Sequence, residues 1–339
     1  MTTKLNPQLA RRTARRTVLG VASAAILVSG LGLSGHALAQ AYPNKSVSIV
    51  IGFPPGGAID TIARVLAPKM SADLGQSVVI ENKPGAGGVI GMQSVARAEP
   101  DGYTIFMGTM GNFSITPALV KDLPYNVTKD FAPVTQVASS GFVIYINPNL
   151  PIKTVADLIA FGKANPGKLN FSSSGNGGLP HMAGEMFASA AGIKMTHIPF
   201  KGAAPLKQEL LSGRIQIGGD QLSSSLAELK AGTLKALATT ASKRIAGLPD
   251  VPTVRELGFP GLELEGWNGL FVPAGTPTPV IQRLQQETAK VMSSPAWKAQ
   301  SVSMGYELGG ESPQEFGQFV RQEIQKWSRV IQDARIRIE

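Results

Sequence analysis

The sequence predicts an α/β fold built from two lobes. Segments with the two-residue period of strands alternate with segments at helical spacing, and two glycine-rich turns each join a strand to a helix. About 300 residues follow the N-terminal segment, which is more than one ordinary domain needs. Because alternating strands and helices are typical of α/β proteins, we expect mainly parallel sheets.

The first strand-to-helix pair opens the body of the chain. In residues 46–53, bulky apolar side chains alternate with smaller ones, which predicts a strand. The turn Pro54-Pro55-Gly56-Gly57 follows. After it, apolar side chains recur at helical spacing, and these are Ile59, Ile62, Ala63, Leu66 and Met70.

The later elements repeat this alternation in looser form. A capping box at Thr154–Asp157 begins a helix, and Asn165-Pro166-Gly167 ends it. Further strands are predicted over 77–81, 103–107, 142–146, 169–172, 215–217, 236–239 and 270–272. Further helices are predicted over 89–98, 182–191, 282–292 and 314–334.

Residues 1–39 have the three parts of a signal peptide. A basic start precedes the apolar stretch Val18–Leu33, and Ala37-Leu38-Ala39 fits the small-residue cleavage rule. Arg15-Arg16 also resembles a twin-arginine export signal, with ordinary Sec export as the alternative. We therefore expect export to a bacterial periplasm, with the mature chain beginning at Gln40.

Charge and cysteine content exclude several classes of protein. Five of the 32 basic residues stand in 1–39, which has no acidic residue, so the net charge falls from +9 to +4 without it. No basic stripe interleaved with aromatic residues follows, and we expect no nucleic-acid partner. The chain has no Cys, which excludes disulfides and thiolate metal sites.

Two glycine-rich turns are the candidate binding features. Phe53–Asp60 and Ser172–Gly178 each lie between a predicted strand and a predicted helix. Backbone amides and the helix dipole favour an anion at such a place. The alternative is a turn that only packs the helix on the sheet. Asp60 is either a ligand contact or a stabilising acid in the first helical turn.

The sequence contains no complete motif for metal binding, phosphate binding or catalysis. His181 and Glu185 lie four residues apart but lack a third ligand nearby, so we expect no metal and place these side chains in exposed or capping roles. Gly162–Lys168 has the spacing of a P-loop, but Leu169 stands where Ser or Thr must bind magnesium. A nucleophile elbow and a dinucleotide fingerprint are missing. We expect no cofactor and no enzymatic activity.

Several short motifs are similar to the solute receptors of tripartite tricarboxylate transporters, the Bug proteins. They occur in the family's order over nearly all of the mature chain. They are Tyr42-Pro43, Phe53–Asp60, Glu81–Gly88, Pro100–Thr104, Lys129–Val134, Asn165–Leu169, Ser173–Gly175 with His181, Pro199–Ala203, Leu248–Val254 and Pro273–Pro277.

This resemblance implies a two-lobed type II periplasmic binding protein, the Venus flytrap fold. It implies one lobe over 40–142 plus 265–339 and a second over 143–264, joined by two crossing strands that hinge near 140–145 and 264–270. It implies that a carboxylate is held by one loop from each lobe. The ligand-binding residues carried over are Phe53, Gly57, Ala58, Asp60, Ser173, Ser174, Gly175, Asn176 and, less directly, Asp220.

The implied function is capture of a small organic carboxylate and its delivery to the integral membrane subunits of a transporter. Two alternatives stay open, namely a sensor that reports the ligand to a sensor kinase and an exported hydrolase. The sequence does not choose among a dicarboxylate, a citrate-like acid, an aromatic acid and an acidic amino acid.

Overall fold

The computed structural model describes residues 42–333. The predicted signal peptide over 1–39 lies outside the described residues. The main compact unit of the chain begins at Lys45. Nowhere between residues 42 and 333 is a helix both long and apolar enough to cross a bilayer.

Strands and helices alternate along most of this unit. The strands are Val47–Ile51 (β1), Val78–Asn82 (β2), Thr104–Thr109 (β3), Phe131–Ile146 (β4), Leu169–Ser173 (β5), Met195–Pro199 (β6), Ile217–Gln221 (β7), Lys235–Thr239 (β8), Glu265–Pro273 (β9) and Glu307–Leu308 (β10). The helices are Ala58–Leu74 (α1), Val89–Ala96 (α2), Thr116–Leu119 (α3), Val155–Ala164 (α4), Leu179–Ala191 (α5), Ala203–Leu211 (α6), Leu222–Lys230 (α7), Thr278–Ser293 (α8), Pro295–Met304 (α9) and Pro313–Asp333 (α10).

The strands form one sheet in the order β2-β1-β3-β9-β4-β7-β5-β6, with β8 and β10 also paired to β4. Strand β4 belongs to both ends of this sheet. Its residues 131–141 pair with β9, and its residues 142–146 pair with β7 and β8. The partner of β4 therefore changes between Gly141 and Phe142.

The α/β class is confirmed, but the expectation of mainly parallel sheets is wrong. The pairs of β1 with β2 and β3, and of β5 with β6 and β7, are parallel. All pairs that involve β4 or β9 are antiparallel. The cause is that β4 and β9 run through the middle of the sheet and oppose the helix-connected strands on both sides.

Apolar packing differs between the two ends of the sheet. An aromatic cluster fills the β1 end, where the rings of Phe113 and Phe271 stack at 3.7 Å between centroids. Around β5 and β7, Phe171, Leu158 and Ile217 pack on one side. Tyr145, Leu206 and Leu210 pack on the other. Each end thus has its own buried apolar core, which fixes the loops at the strand ends.

Candidate functional site

A cavity of about 100 Å³ lies where loops from both ends of the sheet meet. That space exceeds what a single water molecule needs several-fold. The residues around it come from the turns after β1 and β5, from the starts of α6 and α7, and from β9. The cavity thus lies between the two apolar cores.

The first loop, 53–57, leads from β1 into α1. Phe53, Pro54, Gly57, Ala58 and Ile59 line the cavity. Gly57 is the N-cap of α1, has extended backbone and receives no side-chain cap. The first amides of α1 thus have no partner within their own helix, as at any helix N-terminus.

Asp60 stabilises this loop through hydrogen bonds. Arg64 Nε and Nη2 donate to its two oxygens at 2.8 and 3.0 Å, and the Gly56 N–H donates at 3.0 Å. Asn82 Nδ2 donates both to Asp60 and to the Phe53 carbonyl. Burial raises the pKa of Asp60, but the bonds from Arg64, Gly56 and Asn82 outweigh it and hold that pKa below its usual value.

The second loop is 174–178, between β5 and α5. Ser174, Gly175, Asn176 and Gly178 line the cavity. Gly178 is the N-cap of α5 and, like Gly57, has extended backbone without a side-chain cap. The two loops thus offer two helix N-termini to the same space.

Two further helices begin at the cavity. Gly202, the N-cap of α6, and Gln221, the N-cap of α7, both line it. Of the lining residues that the structure describes, none is Lys, Arg or His. Four helix N-termini therefore supply the positive potential, and this arrangement suits a carboxylate.

Asp220 is the acidic group at this site. It ends β7 together with Gln221, whose N–H donates to Asp220 Oδ1 at 2.8 Å. Burial raises the pKa of Asp220, while the Gln221 and Ser224 bonds and the charge of Lys207 lower it by less. The protein therefore holds this carboxylate in an environment that disfavours its charge.

Three amide side chains also line the cavity. Asn112 Nδ2 donates to the Gly87 carbonyl at 2.9 Å, and its Oδ1 accepts from Thr109 Oγ1 at 2.9 Å. Gln221 Nε2 donates to the Gly266 carbonyl at 2.9 Å. Asn268 Nδ2 donates to Gln221 Oε1 at 3.3 Å. These bonds fix the orientation of the amide groups that a ligand would meet.

The two sides of the cavity are in contact. A β-carbon built at Gly87, in the short turn 86–88, would lie 3.2 Å from the carbonyl oxygen of Asn176. Gly87 has a φ of 65°, which favours glycine. The structure therefore shows the loops of the two sides drawn together.

Seven of the nine residues expected from the sequence line this cavity. They are Phe53, Gly57, Ala58, Ser174, Gly175, Asn176 and Asp220. Asp60 and Ser173 are outside the lining and bond to the protein instead. Ligand binding by any of the nine stays a prediction.

Sequence reasoning missed the amide side chains of Asn112, Gln221 and Asn268. They are buried polar residues, at most 7% exposed, in or beside apolar strands. The available signal was an amide side chain among buried apolar residues. Burying an amide costs free energy unless it forms hydrogen bonds, so such a residue indicates a specific polar contact. Their convergence depends on tertiary pairing, which no local pattern gives.

His181 and Glu185 lie close together in the structure. Across residues 42–333, no group of three or more potential ligands comes together. The expected exposed role is wrong for His181, which is only 6% exposed, whereas the capping role agrees with the structure, because His181 Nδ1 accepts from the Gly177 N–H just before α5. Glu185 Oε1 lies 3.8 Å from His181 Nε2.

Comparison with known proteins agrees with the motifs. The model of the tripartite tricarboxylate transporter family receptor matches residues 62–336. The UPF0065 protein in the tcbD-tcbE intergenic region of Pseudomonas sp. (strain P51) is 33% identical, and the match covers 97% of each chain. Protein BugT of Bordetella pertussis is 32% identical, with 91% of this chain and 95% of BugT covered.

Solved structures give the same result. The periplasmic binding protein BugD is 34% identical with a TM-score of 0.84, covering 88% of this chain and 100% of BugD. Rpa4515 of R. palustris with adipate is 34% identical, with a TM-score of 0.85 and coverage of 87% and 99%. MatC of Rhodopseudomonas palustris with bound malate is 31% identical, with a TM-score of 0.81 and coverage of 86% and 100%.

These relatives are solute-binding receptors, which removes the exported hydrolase as an alternative. Their likeness also confirms the two-lobed α/β binding-protein fold. The chain belongs to the receptor family of the tripartite tricarboxylate transporters, the family of the Bug proteins.

Proposed function

We propose that this protein is a periplasmic receptor that binds a small organic carboxylate in the cavity between the two loops. One observation carries the proposal: four helix N-termini face a cavity whose described lining contains no cationic side chain. Backbone amides at such termini neutralise a carboxylate without a buried cation. The adipate and malate named with two relatives belong to this chemical class.

The proposal includes delivery of the ligand to the integral membrane subunits of a transporter. It also includes the lobe boundaries at 40–142 plus 265–339 and at 143–264. The change of partner along β4 near residue 142 favours a hinge there, because β4 has strand partners on both sides of that point, whereas β9 begins at Glu265, opposite Gly141. The comparisons give the sensor-kinase alternative no support, and it is not part of the proposal.

Thermal unfolding with a panel of mono-, di- and tricarboxylates tests capture. A ligand that binds only the folded chain raises the melting temperature by mass action. We expect stabilisation by at least one acid of the panel, with adipate and malate included. A panel that leaves the melting temperature unchanged at millimolar concentrations would contradict the proposal.

A pair of variants locates the binding. A β-carbon at Gly57 meets no atom within 4 Å, so Gly57→Val together with Ser174→Ala folds while the valine fills the cavity. We expect this double variant to lose the ligand-induced stabilisation. Gly261→Val is the control, because Gly261 also has open space and lies outside the cavity lining.

Delivery is tested by uptake into vesicles that contain the transporter's membrane subunits. Uptake that depends on the added receptor is the expected result. Binding without receptor-dependent uptake would restrict the function to capture.

A further inference from the structure

Two histidine rings stack directly beneath the second loop. His181 on α5 and His197 on β6 have ring centroids 3.8 Å apart and an interplanar angle of 10°. The ring of Phe171 lies 4.9 Å from His197. Neither imidazole lines the cavity. The two rings therefore lie outside the cavity lining.

His197 reaches the loop through Ser173. His197 Nε2 lies 2.7 Å from Ser173 Oγ, and Ser173 Oγ lies 2.8 Å from the Gly175 carbonyl. A hydroxyl has one hydrogen, so both contacts are hydrogen bonds only when His197 Nε2 carries a proton and Ser173 donates to Gly175. Gly175, which lines the cavity, is thus held by a two-bond relay.

His181 reaches the loop directly. The Gly177 N–H donates to His181 Nδ1 at 3.2 Å. An imidazole nitrogen accepts only when it carries no hydrogen, so this bond requires neutral His181 with its proton on Nε2. Nε2 then points toward Glu185 Oε1, 3.8 Å away.

The stacked arrangement favours neutral rings. Burial lowers the pKa of His181. Burial, with the neighbouring ring of His181 as a second cause, lowers the pKa of His197 to about 4. The groups that face the pair are Glu185 from α5 and the uncharged Phe171 and Ser173 from β5, and burial raises the pKa of Glu185.

We propose that His181 and His197 are positioning residues that hold the second loop in its binding geometry, and that protonation of His181 releases the Gly177 amide. This inference rests on the proposed function, because it assigns the loop its role in binding a carboxylate. The protonated ring of His181 carries a hydrogen on Nδ1, so it faces the Gly177 N–H with a donor. The loop then loses the hydrogen bond that His181 provides.

Hydrogen exchange of the amides in 174–178, measured without ligand at pH 7.5 and at pH 4.5, tests the loop itself. His181→Phe keeps an aromatic ring and removes the acceptor, whereas His181→Asn keeps an acceptor near the Nδ1 position and cannot titrate. After correction for intrinsic exchange, we expect wild-type protection at pH 7.5 and about 10-fold faster exchange at pH 4.5. The Phe variant should exchange fast at both pH values, and the Asn variant slowly at both.

Adipate binding by calorimetry is the second measurement. We expect His181→Phe to weaken binding about 10-fold at pH 7.5 and His181→Asn to restore it, with His197→Phe and His197→Gln behaving in the same way. Ser172→Ala is the control, because Ser172 is also buried on β5 but donates to the Ile217 carbonyl. Ser172→Ala should leave the hydrogen exchange of the amides in 174–178 unchanged.

The experiments distinguish failure of the proposed function from failure of the positioning role. If wild-type protein binds no carboxylate, the proposed function fails, and loop exchange still decides whether the histidines hold the loop. If His181→Phe exchanges like wild type at both pH values, the positioning role is overturned whatever the ligand.

Discussion

Gly202, at the start of α6, lies against the ring of Pro54 in the first loop. A β-carbon at Gly202 would stand 2.9 Å from Pro54 Cγ. Residue 202 has a φ of 105°, which L side chains rarely adopt. The contact joins the two sides of the cavity at a point where no side chain larger than hydrogen fits.

Gly202→Ala should therefore weaken ligand binding about 10-fold or more, because the methyl group pushes the two sides apart. The backbone strain also costs about 1–3 kcal/mol of stability. Gly258→Ala is the control, with a φ of 89° and no atom within 4 Å of the added carbon. Calorimetric binding and thermal unfolding of both variants check this, and equal affinities would contradict it.

Asp60→Asn should destabilise the protein by about 1–3 kcal/mol, because buried bonds to a charged carboxylate are lost. Ligand affinity should also fall, since Asp60 holds the Gly56 amide. The control is Asp73→Asn on the same helix, where the pair with Lys290 is exposed at the lysine and is worth at most about 1 kcal/mol. Urea unfolding measures both variants.

Asp60 also predicts a pH dependence. Its pKa is lower in the folded protein than in the unfolded chain, so its contribution to stability is complete above the ordinary value of 3.8. That contribution is lost as the pH falls through the lower folded value. The difference between wild type and Asp60→Asn should shrink over this range, and a difference that is constant with pH would contradict the assignment.

Asp220→Asn should raise the melting temperature at pH 7 by about 2 °C or more. The pKa of Asp220 is raised, so the folded state disfavours the charged form of this carboxyl relative to the unfolded chain. Wild type gains stability as the pH falls toward the ordinary value of 3.8, and the advantage of the variant should disappear there. Asp250→Asn, at an exposed site, is the control.

Tryptophan fluorescence should report ligand binding. Trp267 is 1% exposed and lines the cavity, whereas Trp297 lies on α9 outside the lining. We expect Trp267→Phe to lose most of the ligand-dependent change and Trp297→Phe to keep it. A full signal from Trp267→Phe would show that the ligand does not reach this wall.

Local patterns predicted the elements whose signals are local. The Thr154 capping box and the glycine turn after β1 are both observed. The first half of β4 and strand β6 were not predicted. Residues 131–141 form a strand because β9 pairs with them over almost their full length, and that pairing is remote in sequence.

For the site as well, local sequence patterns predicted some features, and others depend on contacts between distant residues. Glycine residues predicted the turns before the helices, and both loops were therefore found from the sequence. The family resemblance implied that Asp60 and Ser173 contact the ligand, with a stabilising role in the first helical turn as the alternative for Asp60. In the structure their side chains bond to Arg64 and His197, which come from the next turn of the helix and from another strand.

The absence of a cationic side chain from the described lining has an evolutionary consequence. A substitution can delete an arginine, but it cannot delete the amide of a helix's first turn unless it introduces proline. Under the proposed function, substitutions at Thr109, Asn112 or Trp267 would change which carboxylates fit, while the amides of the helix N-termini would remain. Under that proposal, a new carboxylate ligand needs no change in the main-chain groups that bind the carboxylate itself.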